Sequence, residues 1–82
     1  MRVHVVFYGR LKQDTGTKQA VLDFDAQALT VRDVVDRVVT QYPALRPLLD
    51  TVACTIGAEL VSPDQAVRDG DEVGLLPPVS GG

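Results

Sequence analysis

The chain opens on an alternation. Val3, Val5 and Phe7 fall on one parity, and Arg2, His4, Val6 and Tyr8 on the other, which is the period of a β-strand. The second set is not uniformly polar, because Val6 and Tyr8 belong to it. That face is covered either by a partner or by neighbouring strands and loops. Gly9 to Gly16 is polar, carries two glycines, and reads as a connection. Alternation resumes from Thr17 to Phe24, with Ala20, Leu22 and Phe24 on one side and Val21 on the other. The first two strands are therefore expected to form a hairpin.

The period then changes. Val31, Val34, Val35, Val38 and Val39 recur at i, i+3, i+4, i+7 and i+8, the stripe of an amphipathic helix. Thr30 stands before it as an N-cap, with Asp33 three residues on in a capping-box arrangement. Valine by itself prefers strands; capping and periodicity outweigh that preference here, and burial against a sheet stabilises the helix. Pro43 stops it near Gln41. Ala44 to Asp50 reads as a loop with a short helical turn that tucks Leu45, Leu48 and Leu49 into the core. Thr51 to Ile56 is predicted as a third, central strand, Gly57-Ala58 as a turn, and Leu60-Val61 as a short strand. Ser62-Pro63-Asp64 is a further turn. Asp69-Gly70-Asp71 is a tight turn with Gly70 at positive φ. Glu72 to Leu76 is the last strand, ended by Pro77-Pro78.

One main helix on a mixed sheet of four to five strands is an α+β architecture. With the first and last strands parallel at the centre and the hairpin partner on one flank, it is the β-grasp arrangement of ubiquitin. Residues 1–76 form that domain, and 77–82 an extended tail. A chain of 82 residues holds one small domain.

Charge and composition narrow the function. A net charge of −3 with scattered Lys and Arg argues against nucleic acid and anionic membranes as partners. The single cysteine, Cys54, excludes an internal disulfide and a cysteine-based zinc site, and a lone thiol suits a reducing compartment. No apolar run is long enough to span a bilayer, and the chain starts directly on a strand pattern rather than a signal peptide. The cytoplasm is the expected location. His4 has no second ligand or nucleophile beside it in the pattern, so neither a metal site nor catalysis is assigned to it. Cys54 sits between Ala53 and Thr55 in an apolar strand and reads as a buried, inert thiol.

The tail carries the most chemistry. Pro77 and Pro78 lack backbone N–H groups, so they end the ladder and favour a stiff, extended exit. Val79 to Gly82 reach roughly 13 Å at about 3.3 Å per residue. Gly81 and Gly82 carry no Cβ, so their backbone can thread a narrow channel. Small residues are also what a frayed terminus carries; it is the Pro-Pro-Val-Ser lead-in on a β-grasp pattern that gives the pair meaning.

The stretch Asp69-Gly-Asp-Glu-Val-Gly-Leu-Leu-Pro-Pro-Val-Ser-Gly-Gly82 closely resembles the end of the small subunit of molybdopterin synthase, the MoaD family of the MoaD/ThiS superfamily of ubiquitin-like sulfur carriers. The aromatic pair, polar run and glycine of Phe7 to Gly16 match as well, as does Leu60-Val61 followed by an aspartate. Gly57 departs from the pattern, standing where many relatives carry asparagine; both residue types tolerate left-handed backbone, so the turn is expected to survive.

The resemblance implies a function. An adenylating enzyme of the ubiquitin-activating type uses ATP to convert the Gly82 carboxylate to an acyl-adenylate, and a sulfur donor turns that into a thiocarboxylate. Gly81 and Gly82 then enter the large subunit of molybdopterin synthase, whose side chains catalyse sulfur transfer to a cyclic pyranopterin precursor. The resemblance also implies a two-by-two heterotetramer. This chain itself binds no cofactor and supplies the reactive group. Leu60, Leu76, Pro77, Pro78, Val79 and Ser80 fall on partner-facing positions; Leu60 and Leu76 are alternatively plain core residues. Asp69, Asp71 and Glu72 either build the turn or steer a basic partner. Competing readings are a sulfur carrier for thiazole, cysteine or tRNA thiolation, a ubiquitin-like modifier joined to lysines, and an interaction module whose tail is never activated.

Overall fold

The alternation at the start of the chain becomes strand β1, Arg2–Phe7, which buries Val3, Val5 and Phe7 and exposes Arg2 and His4. The computed structural model describes residues 1–78. A five-residue helix, α1 (Leu11–Thr15), follows β1. The chain then returns as β2 (Gln19–Asp23), antiparallel to β1, with Leu22 opposite Val3 and Ala20 opposite Val5. Directly opposed residues share a face, so the hairpin has one apolar side.

Two residues, Leu29–Thr30, form β3 and lead into helix α2, Val31–Gln41. The capping box is present: the Asp33 N–H donates to Thr30 Oγ1 at 3.3 Å, and the Thr30 N–H donates to Asp33 Oδ2 at 2.9 Å. Val31, Val34, Val38 and Val39 are buried and Val35 is half-buried, so the valine stripe is the face that packs on the core. A 3-10 helix over Pro43–Leu48 buries Leu45, while Leu48 and Leu49 pack half-buried against the core. Tyr42 sets its ring edge-on to Phe7, with centroids 5.4 Å apart.

The remaining strands are β4 (Ala53–Ile56), β5 (Glu59–Val61), β6 (Ala66–Val67) and β7 (Glu72–Leu76). The main sheet has five strands in the order β2-β1-β7-β4-β5. Strands β1 and β7 run parallel, with Val5 beside Val73 and Phe7 beside Leu75. This is the expected β-grasp pairing of first and last strands, and Val73 and Leu75 complete the buried face under α2.

Two local expectations are corrected, and one short ladder appears that the pattern along the chain does not show. The segment from Gly9 to Gly16 is not a plain connection, because α1 forms inside it, anchored by the fully buried Leu11 and closed by Gly16 at φ 78°. One buried residue in five gives no periodicity to detect. The strand at Thr51 to Ile56 begins at Ala53 and is interior but not central: β7 takes the middle, because it pairs with both β1 and β4. The ladder between β3 and β6, with Leu29 opposite Val67, is too short to leave an alternation in the sequence.

Candidate functional site

The face of the sheet turned away from α2 holds the residues of interest. The register lines up Val6, Gly74, Thr55 and Leu60 across β1, β7, β4 and β5. Further along the strands, Leu76 lies opposite Ala53. Strand polarity alone puts these side chains outward, since their neighbours Phe7, Leu75 and Cys54 are buried.

Large apolar groups are exposed on this face. Leu60 is 72% exposed, Val21 51% and Tyr8 39%. Leu60 is thus a surface residue, not a core one; Leu76 and Pro77 are half-buried and Pro78 is exposed. At the end where the chain leaves β7, Tyr8, Gly9, Thr51, Ala53, Leu60, Leu76, Pro77 and Pro78 line one hollow of about 550 Å³. No charged residue lines it among the described residues. The fold therefore brings together Leu60, Leu76, Pro77 and Pro78. The expectations for Val79, Ser80, Gly81 and Gly82 fall outside the described residues.

The root of the tail is held from the first strand. The Tyr8 N–H donates to the Leu75 carbonyl at 3.0 Å, carrying the parallel ladder one step past Phe7. Gly74 lies under the Tyr8 ring and the Thr55 hydroxyl: a Cβ at Gly74 would collide with Thr55 Oγ1 and would stand 2.8 Å from Tyr8 Cε2. Gly9 lies against the Pro77 ring. Gly9 and Gly74 were not foreseen as site residues. The outward position of Tyr8 was the only local signal, and nothing in the sequence ties Gly9 to Pro77.

The remaining candidates lie away from this hollow. Asp69 accepts the Arg2 N–H at 2.6 Å, and Asp71 accepts the Arg68 N–H at 2.8 Å. These two carboxylates are engaged in building the turn, where Gly70 has φ 87°. Gly57 has φ 61°, so the β4–β5 turn keeps its left-handed residue. Cys54 is buried on the α2 side of the sheet, and burial pushes its thiol pKa up, away from the reactive thiolate. His4 is exposed on β1 beside Glu72 and Val21. No helix among the described residues is long and apolar enough to cross a membrane.

Comparison with known proteins places this arrangement. The model of the ThiS family matches residues 5–82. The molybdopterin synthase sulfur carrier subunit of Chlamydomonas reinhardtii is 29% identical over 84 aligned residues, covering 100% of both chains. Small archaeal modifier protein 1 of Haloferax volcanii is 32% identical, covering 92% of this chain and 94% of its own. The crystal structure of SAMP1 from Haloferax volcanii superposes with a TM-score of 0.86 at 28% identity, covering 100% of both chains. The buried parity, the parallel pairing of first and last strands and a match running from β1 to Gly82 agree: the chain belongs to the ThiS family and is a ubiquitin-like β-grasp sulfur carrier of the MoaD/ThiS type.

Proposed function

We propose that this chain is the sulfur-carrying small subunit of a molybdopterin synthase, with the Gly82 carboxylate as its working group and residues 77–82 as the arm that presents it. The observation that carries this reading is the placement of the arm's root. Pro77 and Pro78 leave the central strand beside a hollow that, among the described residues, has an uncharged lining flanked by the exposed Leu60 and Tyr8. An exposed apolar patch of this kind marks a partner surface, and here it adjoins the exit of the chain end.

The chemistry follows from what a carboxylate lacks. Its oxygen is a poor leaving group, so the acyl carbon resists attack by sulfur. Attack of a Gly82 oxygen on the α-phosphorus of ATP, in an adenylating enzyme of the ubiquitin-activating type, releases pyrophosphate and leaves a mixed anhydride. Sulfide supplied by the donor then attacks the acyl carbon and displaces AMP, giving the thiocarboxylate. Leu60, Leu76, Pro77 and Pro78 dock on the large subunit, and Val79, Ser80 and Gly81 lead Gly82 into its active site, where the sulfur passes to a cyclic pyranopterin. ATP is bound by the activating partner rather than by this chain. Two carriers on two large subunits make the assembly.

Incubation with the cognate adenylating enzyme, ATP and a sulfur source, followed by intact mass, tests this. Exchange of one terminal oxygen for sulfur is the expected result. An unchanged mass beside an enzyme that loads another carrier would defeat it. The 32% identity to a small archaeal modifier protein supports a second reading, attachment of Gly82 to lysines. Isopeptide-linked adducts in cells, with no sulfur loading, are the outcome that favours it.

A further inference from the structure

Delivering a carboxylate from the end of an arm is a problem of aim. Each proline fixes its own φ near −65°, and a Pro-Pro step favours extended backbone, so the orientation of Pro77 bears on where Pro78 points. What Pro77 rests on therefore matters. It rests on Gly9: a Cβ built there would stand 3.1 Å from Pro77 Cγ and 3.6 Å from Cδ. Gly9 is itself held on both sides. Tyr8 is tied to the Leu75 carbonyl at 3.0 Å, and the Gly9 carbonyl accepts the Lys12 N–H at 3.2 Å. The corner is thus fixed between the β1–β7 ladder and α1.

A positive φ explains a glycine without any contact, and three other glycines here show it. Gly16, Gly57 and Gly70 all have positive φ, and nothing lies within 4 Å of a Cβ built on any of them. Gly9, at φ 56°, combines the turn with a close approach by the tail. The geometry points to Gly9 as a positioning residue: a bare backbone seat for the Pro77 ring that sets the direction in which the tail leaves the sheet and so aims the Gly82 carboxylate at ATP in the activating enzyme. This role rests on the carrier reading above.

Aim and docking separate in kinetics. A misdirected arm lowers kcat, whereas a weakened docking surface raises KM. The experiment is ATP–pyrophosphate exchange by the cognate adenylating enzyme with wild type, Gly9→Ala, Gly9→Val, Pro77→Ala and the Gly9→Val/Pro77→Ala double variant, each checked for folding by circular dichroism. Gly9→Val is expected to lower kcat about tenfold with KM within about twofold, and Gly9→Ala less. If Gly9 acts through the Pro77 ring, the double variant is no slower than Pro77→Ala alone. Gly9→Ala and Pro77→Ala decide the matter where Gly9→Val does not fold. An unchanged kcat, a change confined to KM, or losses that multiply in the double variant would each overturn the seat. Absence of exchange with wild type overturns the carrier reading and this role together. Exchange with wild type and with undiminished Gly9 variants overturns this inference alone.

Discussion

Gly74 shows how tightly single residues are specified on the face away from the helix. Its missing Cβ is the space filled by the Thr55 hydroxyl and the Tyr8 ring edge. Gly74→Ala is expected to destabilise the domain by about 1–3 kcal/mol through overpacking. Thr55→Ala in the same chain is expected to recover part of the loss, measured by urea denaturation of the single and double variants. Additive losses would show that the two residues do not share the space. Cys54 gives a pH-dependent prediction. Burial raises its thiol pKa from the ordinary value of 9.0, so the folded state holds that proton more tightly than the unfolded chain. The resulting stability is fully present below pH 9.0 and is lost as pH rises through the folded-state pKa. Cys54→Ala is expected to flatten part of the alkaline decline in denaturation midpoint. Unfolding by urea is also expected to speed alkylation of the thiol.

At the scale of elements, helix α2 tests the balance between propensity and packing. Its valines are poor helix formers, yet the helix runs the full length that the stripe and the cap define. Thr30→Ala removes the acceptor for the Asp33 N–H and is expected to cost about 1 kcal/mol. An unchanged denaturation midpoint would mean that burial of Val31, Val34 and Val38 holds the helix start without the cap. The contrast with α1 is instructive. Helix α2 was legible because five of its valines return to one face. Helix α1 has Leu11 as its one buried residue, and the segment from Gly9 to Gly16 around it is otherwise polar. The β3–β6 pair was invisible for the same reason: two residues cannot display a period, and only the approach of Val67 to Leu29 makes them strands.

At the scale of the whole molecule, the proposed function sets the folded body apart from the working end. Deleting Gly82 is expected to abolish sulfur loading while leaving the thermal midpoint nearly unchanged, since the buried cluster runs from Val3 to Leu75. A fall in midpoint would show that the end of the chain contributes to the core. Leu60→Asp is expected to weaken binding of a large synthase subunit at least tenfold, in the manner of an interface hot spot, with little change in stability because Leu60 is 72% exposed. Titration calorimetry and a melting curve on the same sample check both halves. Unchanged binding would move the docking surface elsewhere.

The sequence by itself determined what depends on local order: the parity of β1 and β2, the capped valine stripe of α2, the turn at Gly70, and the proline pair that ends β7. Backbone sterics and side-chain period act over a few residues, so a few residues suffice to read them. The tertiary structure decided what depends on pairing between distant segments. It put β7 rather than β4 at the centre, turned Leu60 outward beside Leu76, closed Tyr8 and Thr55 over Gly74, and set Pro77 on Gly9. Those contacts join the start of the chain to its end, and no local pattern encodes them, because they exist only once the parallel β1–β7 ladder has formed.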